Sequence, residues 1–239
     1  MSQRVRFFSA SALRRAVPPL ALLAAAGSGP SLADTPAKSD AASNTPAPAL
    51  RKLNPAPTHA YEIRLTLSNA SDLAGAADDK SPFTVVEGTA QFDASNAARC
   101  GRSHALAGNV PTLSSHEPFR LSRISATEYI GAVYADMLLD EDYYGRGVCH
   151  WQLTEARVAV RARTDSADTR FVAGLPAQKV LASDTQARYF WKGYYPNFEQ
   201  RQYTDYGRNQ LDAVPADRRG EFFVITLTSR KIASDVQGR

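Results

Sequence analysis

Tyr61, Ile63, Leu65 and Leu67 alternate with Glu62, Arg64, Thr66 and Ser68, and this period of two is the strongest limit on the fold. Successive side chains reach opposite faces only in an extended chain, so the stretch predicts a strand with one face buried and one wet. Phe83 to Phe92 (FTVVEGTAQF) is a second β-rich run, with Gly88 expected at a bulge or turn. Phe119 to Ala135 predicts two strands or one bent strand. Cys149, Trp151 and Leu153 share one parity, whereas Ala156, Val158, Val160 and Ala162 share the other. The phase slip at Thr154-Glu155 predicts a bulge. Arg170 to Leu175, Ala187 to Tyr194 and Glu221 to Lys231 complete the strands. No i, i+3, i+4, i+7 stripe persists, although Asn209 to Arg219 could hold a turn or two of helix. Short strands between polar turns give an all-β class, an antiparallel β-sandwich of immunoglobulin-like architecture. The Cys-Trp spacing of a true antibody domain is absent.

The amino terminus predicts export. Arg4, Arg6, Arg14 and Arg15 precede an apolar run from Val17 to Gly27, too short to span a bilayer, and Ser31-Leu32-Ala33 offers small residues for cleavage after Ala33. Residues 1–33 are thus expected to be a secretory signal, leaving a soluble periplasmic protein without stable membrane insertion. Asp34 to Thr58 is rich in Ala, Pro, Ser and Asn and predicts a flexible tether, with a single domain over 59–239. The leader also decides the charge. The chain has 28 Lys+Arg and 24 Asp+Glu, but four of the Arg and none of the acids lie before Asp34. The remainder carries 24 of each, so the footprint expected of a nucleic-acid binder is lost.

Cys100 and Cys149 are the two cysteines, and in an oxidising compartment such a pair predicts a disulfide. A zinc site of Cys100, His104, Cys149 and His150 is disfavoured, because adjacent strand residues point apart and no C-x2-C spacing occurs.

Catalytic signatures are missing from the sequence: there is no G-x-S-x-G elbow, H-E-x-x-H or S-x-x-K. Gly145-Arg146-Gly147 lacks the third glycine and following helix of a dinucleotide loop. Asp140-Glu141-Asp142 are consecutive, whereas a calcium loop needs alternating oxygen ligands and a distant Glu. No cofactor, metal or catalytic residue is therefore assigned. Two stretches remain as candidate partner-binding surfaces. One is Asp140, Glu141, Asp142, Tyr143 and Tyr144. The other is the aromatic segment with Tyr189, Trp191, Tyr194, Tyr195 and Phe198, whose composition is that of interface hot spots and equally of saccharide-stacking surfaces.

DEDYYGRGVCHWQLTEARVAVRA (140–162) and GEFFVITLTSRK (220–231) together resemble the periplasmic immunity proteins encoded beside type VI secretion toxins in proteobacteria. The resemblance covers about Tyr61 to Lys231. It implies a non-enzymatic periplasmic protein that binds and neutralises a toxin, such as a phospholipase or wall hydrolase. It carries no binding residues onto particular positions. The competing expectation is an enzyme or binding module acting on envelope saccharide or lipid.

Overall fold

The computed structural model describes residues 51–75, 80–101, 111–200 and 202–233. The expected leader, most of the expected tether and His104 lie outside them. The strands are β1 (Ala60–Ser68), β2 (Val85–Ala94), β3 (Ser114–Phe119), β4 (Leu121–Arg123), β5 (Glu128–Tyr134), β6 (Trp151–Arg161), β7 (Arg170–Pro176), β8 (Thr185–Trp191), β9 (Thr204–Asp205) and β10 (Phe222–Lys231). They form two five-stranded sheets, ordered β4-β5-β1-β10-β8 and β3-β2-β6-β7-β9. All pairings are antiparallel except β7 with β9. The all-β expectation therefore holds.

Alternation does the sorting. Ile63, Leu65 and Leu67 of β1 and Phe223, Ile225 and Leu227 of β10 are all buried, while their neighbours in sequence face outward. Opposite them lie Phe92, Val158, Val160, Phe171 and Leu175 of the second sheet, also buried. The centre is a group of phenylalanines. Phe171 of one sheet meets Phe223 and Phe190 of the other, edge to face, with ring centroids 5.1 and 5.6 Å apart. Such pairs add to the burial of apolar area that holds the sheets together.

The phase slip in β6 is a bulge: Phe92 faces Leu153 and Gln91 faces Glu155, leaving Thr154 as the extra residue. Its hydroxyl donates to the Gln91 carbonyl at 3.1 Å. Gly88, by contrast, marks neither bulge nor turn. It lies inside β2, where a side chain would collide with the Phe119 ring and carbonyl, so glycine serves a close approach.

Four elements escaped the sequence pattern: β3, β9, α1 and α2. β3 (SSHEPF) is a polar edge strand whose inward residues are Ser115, Glu117 and Phe119. Ser115 and Glu117 can be buried because Arg51 covers them, its Nε donating to Ser115 Oγ at 2.7 Å and Glu117 Oε1 at 2.8 Å. α1 (Ala97–Cys100) and α2 (Ala177–Leu181) are single turns, too short to show a periodicity. Chain pinned to the sandwich also begins ahead of His59. Leu53 bridges Leu138, the Asn54 amide donates to the Met137 carbonyl at 2.7 Å, and Lys52 pairs with Glu141 at 2.5 Å. Hydrogen bonds and charge hold this stretch, which composition alone does not reveal.

Cys100 and Cys149 form a disulfide. It clips α1, which follows β2, to a point two residues before the Ala94–Trp151 pair that starts β6. The bridge therefore lies at the end of one sheet. Replacing both cysteines with serine should lower the unfolding free energy by about 4 kcal/mol in the chain-entropy model for a loop of this length. Urea titration of the oxidised protein and the double variant checks this. Phe171→Ala, at the contact of the two sheets, should cost about 3–5 kcal/mol by the same measurement.

Candidate functional site

The acidic loop is bonded to its own neighbourhood. Asp140 accepts from the Trp151 amide at 2.9 Å through Oδ1, and Oδ2 lies 2.7 Å from His150 Nδ1. The Glu141 backbone bridges Cys149, and its carboxylate meets Lys52. Asp142 Oδ1 accepts from the Arg146 and Tyr144 amides at 2.9 and 3.3 Å. The backbone N–H groups of Gly147, Arg146, Tyr144 and Gly145 hold the Asp142 carboxyl below its ordinary range. Gly145 and Gly147, both at positive φ, give the turn its shape. Tyr143 donates to the Leu139 carbonyl at 2.6 Å, and its ring lies edge-on to Trp151 beside the disulfide. The geometry is that of a capped turn, with its acids directed at amides and cations of the loop and of the Arg51–Thr58 segment.

The aromatic segment behaves differently. β8 ends at Trp191 and runs into a 3₁₀ turn, Lys192–Tyr194, so the rings after it leave the sheet. Phe190 is fully buried and belongs to the core. Tyr194 is the hub of the remainder, its centroid 5.0 Å from Trp191, 4.7 Å from Phe198 and 5.1 Å from Tyr203. Tyr195 turns inward: its hydroxyl reaches the Ala74 and Pro82 carbonyls at 2.6 and 2.7 Å, and its ring stands edge-on to Phe83. Burial raises its pKa. Of the sequence candidates, Tyr189, Trp191 and Tyr194 share one wall, Phe198 supports it from behind, and Tyr195 is an anchor for the loop.

Those three rings line a cleft of about 520 Å³. Tyr203, Asp205, Arg208, Phe222, Val214, Pro215 and Arg218 also line it. Trp191 is 37% exposed but fixed. Its indole N–H donates to Glu221 at 3.2 Å, Arg218 grips the same carboxylate through two nitrogens at 2.9 Å, and Gly193 lies flat beneath the ring. Asp205 is half-buried and accepts from the Gly207 amide at 2.8 Å, and desolvation raises its pKa. Arg208 stands 6.0 Å over the Phe222 ring. The cleft thus offers a rigid indole, several tyrosines, one acceptor carboxylate and two guanidinium groups, that of Arg218 already held by Glu221.

No known protein family, characterised protein or solved structure matches this chain.

Asp205, Arg208, Arg218 and Phe222 were not legible as site residues. Phe222 reaches β8 through the β10 pairing, opposite Trp191, and Arg218 comes from the turn just before β10, whereas Asp205 and Arg208 are brought there by the path of the Thr204–Arg208 segment. That segment pairs in parallel with β7 at Arg170–Phe171 and then bridges β8 through mutual Tyr189–Arg208 backbone bonds of 2.8 and 3.0 Å. The TDYG sequence, with Gly207 at φ +65°, is the one local sign of the turn. Among the described residues no group of three His, Cys, Asp or Glu is placed to hold a metal, and the disulfide removes both cysteines as thiolate ligands. The cleft is built to bind: rings supply area at low entropy cost, and its few polar groups orient an occupant.

Beneath the aromatic loop, buried Asp168 receives Arg163 through its backbone N–H, Nε and a terminal nitrogen at 2.7–3.1 Å, and the adjacent Thr169 amide donates to the Pro196 carbonyl. The Arg163 guanidinium holds the Asp168 carboxyl below its ordinary range. A depressed folded-state pKa gives stability that is present above the unfolded value and lost as pH falls through the folded one. Asp168→Asn should therefore lower stability at neutral pH and flatten its decline on acidification, as followed by thermal melts across pH. Tyr195→Phe should cost about 1–3 kcal/mol, since it leaves the carbonyl of buried Pro82 without this donor. Chemical denaturation checks it.

Proposed function

We propose that this chain is an exported, non-catalytic binding domain that neutralises an antibacterial toxin by non-covalent contact, with the aromatic cleft as its anchor site. The observation that carries the reading is the fixed, exposed Trp191 at the mouth of a cleft walled by Tyr189, Tyr194, Tyr203 and Phe222. Interface energy concentrates in a few aromatic and arginine anchors seated in well-packed pockets, and a ring already locked in place loses little freedom on binding. The Cys100–Cys149 bridge fits an oxidising compartment such as the periplasm. Among the described residues no helix is long and apolar enough to cross a membrane. The resemblance of the 140–162 and 220–231 stretches to type VI immunity proteins points the same way. The toxin's chemistry, a phospholipase or a wall hydrolase, follows from that resemblance alone.

A second reading has its own observation. A flat indole beside a carboxylate (Asp205) and a guanidinium (Arg208) also suits a saccharide ring, whose C–H face stacks on aromatics while its hydroxyls bond to polar side chains.

Deletion of the gene should make cells sensitive to contact with their parent strain, and the intact chain supplied from a plasmid should restore survival. Trp191→Ala combined with Tyr194→Ala should fail to restore it by a factor of about 10 or more in surviving cells, as expected for losing two anchors, with unchanged amounts of exported protein. Survival of the deletion strain, together with saturable binding or turnover of peptidoglycan fragments by the purified chain, would replace immunity with the saccharide reading.

A further inference from the structure

The outward face of the second sheet holds a feature that the aromatic cleft does not explain. Thr89 of β2, His116 of β3, Arg157 and Ala159 of β6, and Arg170 and Val172 of β7 all point away from the core, fixed there by the pairs Gln91–His116, Thr89–Arg157 and Ala159–Val172. An outward residue on such a sheet is ordinarily wet, yet Ala159 and Val172 are 3% and 4% exposed. Tyr206, directly after β9 and 63% exposed, lines one hollow on this face with both residues and a second with Val172. On one side of it is a hollow of about 160 Å³ lined by Thr89, His116, Arg157, Arg170 and Tyr206 over that apolar floor.

Every polar group in this lining can donate a hydrogen bond, and no carboxylate is among them. The acids that pair with these arginines are not part of the lining. Glu155 pairs with Arg157, and Glu87 lies 4.0 Å from Arg170 and 3.5 Å from Arg161. Two guanidinium groups held by the chain, an imidazole, a hydroxyl and a phenol converging on a small hollow leave an excess of donors over acceptors. A neutral ligand would leave the two guanidinium charges uncompensated, and a carboxylate with two oxygens meets fewer donors than a group with three or four. A tetrahedral oxyanion has enough oxygens to meet several donors at once, and planar guanidinium groups match it in geometry.

We propose that this hollow is a binding site for a phosphate group, separate from the aromatic cleft, with Arg157 and Arg170 as the charge-bearing contacts and Tyr206 as its wall. The phosphate can be free or carried on a phospholipid headgroup; the hollow recognises the chemistry common to both.

The test uses the purified full chain and inorganic phosphate, titrated calorimetrically at constant ionic strength set with chloride. Saturable binding is expected. Arg157→Gln with Arg170→Gln should weaken it by about tenfold or more, since charge-assisted hydrogen bonds are lost. Tyr206→Phe should weaken it by a smaller factor, and Trp191→Ala should leave it unchanged, which separates this site from the proposed toxin anchor. A parallel arm sediments the protein with phosphatidylglycerol or phosphatidylcholine vesicles. Sedimentation with the anionic vesicles alone, lost in the double arginine variant, identifies the headgroup as the source. Arg170→Gln alone, checked by its melting curve, stands in should the double variant fail to fold. Absence of saturation with both probes, or equal binding by the arginine variants, overturns the proposal.

Discussion

The first and last strands of this fold lie side by side at the middle of one sheet. β1 pairs with β10 from Tyr61–Lys231 to Ser68–Val224, so the remainder of the domain is a loop closed by its own ends. Each inward residue of one strand touches its partner on the other: Ile63 faces Ser229, Leu65 faces Leu227, and Leu67 faces Ile225. Closing so long a loop costs chain entropy before any contact repays it. The closure is stable because the same strands present Leu65, Phe223, Ile225 and Leu227 to the second sheet, where Phe171 and Val158 meet them. Local alternation and long-range pairing thus agree on which face is inward, and the register has little freedom to slip.

That agreement explains why the framework was readable. Alternation in YEIRLTL and FFVITLT marks two central strands without ambiguity, and the parity change at Thr154-Glu155 placed the bulge, whose extra residue is Thr154. The parts that were not readable are those in which a distant residue changes a local environment. SSHEPF becomes a strand with buried Ser115 and Glu117 only because Arg51 reaches back across 64 residues of sequence. Gly88 is explained by Phe119, which lies on a different strand.

The candidate sites show the same limit in sharper form. Asp140, Glu141 and Asp142 stand out in the sequence because they are consecutive, yet their spacing in the fold aims them at the Trp151 amide, Lys52 and the Arg146 amide. Charge density in a sequence measures what a segment could offer; the fold decides how much its own backbone consumes. The aromatic segment divides likewise. One residue separates Tyr194, which lines the cleft, from Tyr195, whose hydroxyl is bonded to the carbonyls of Ala74 and Pro82. Composition could not distinguish them, because both are tyrosines in the same connection.

A five-residue strap is what turns those scattered side chains into sites. Thr204 and Asp205 pair with β7 on one sheet, and Arg208 bridges β8 on the other, so the strap spans the open edge between the sheets. Extended chain sends successive residues to opposite sides: Asp205 lines the aromatic cleft, and Tyr206 lines the hollow on the outer face with Val172. Gly207 makes the crossing possible. It sits at positive φ, and a side chain there would run into the buried Phe190 ring and the Tyr189 carbonyl. The cleft and the outer hollow therefore share one backbone element and one glycine, while the cleft's Tyr189, Trp191 and Phe222 belong to one sheet and the hollow's Arg157 and Arg170 to the other. Each site can change its side chains independently, but neither can keep its shape if the strap leaves the edge.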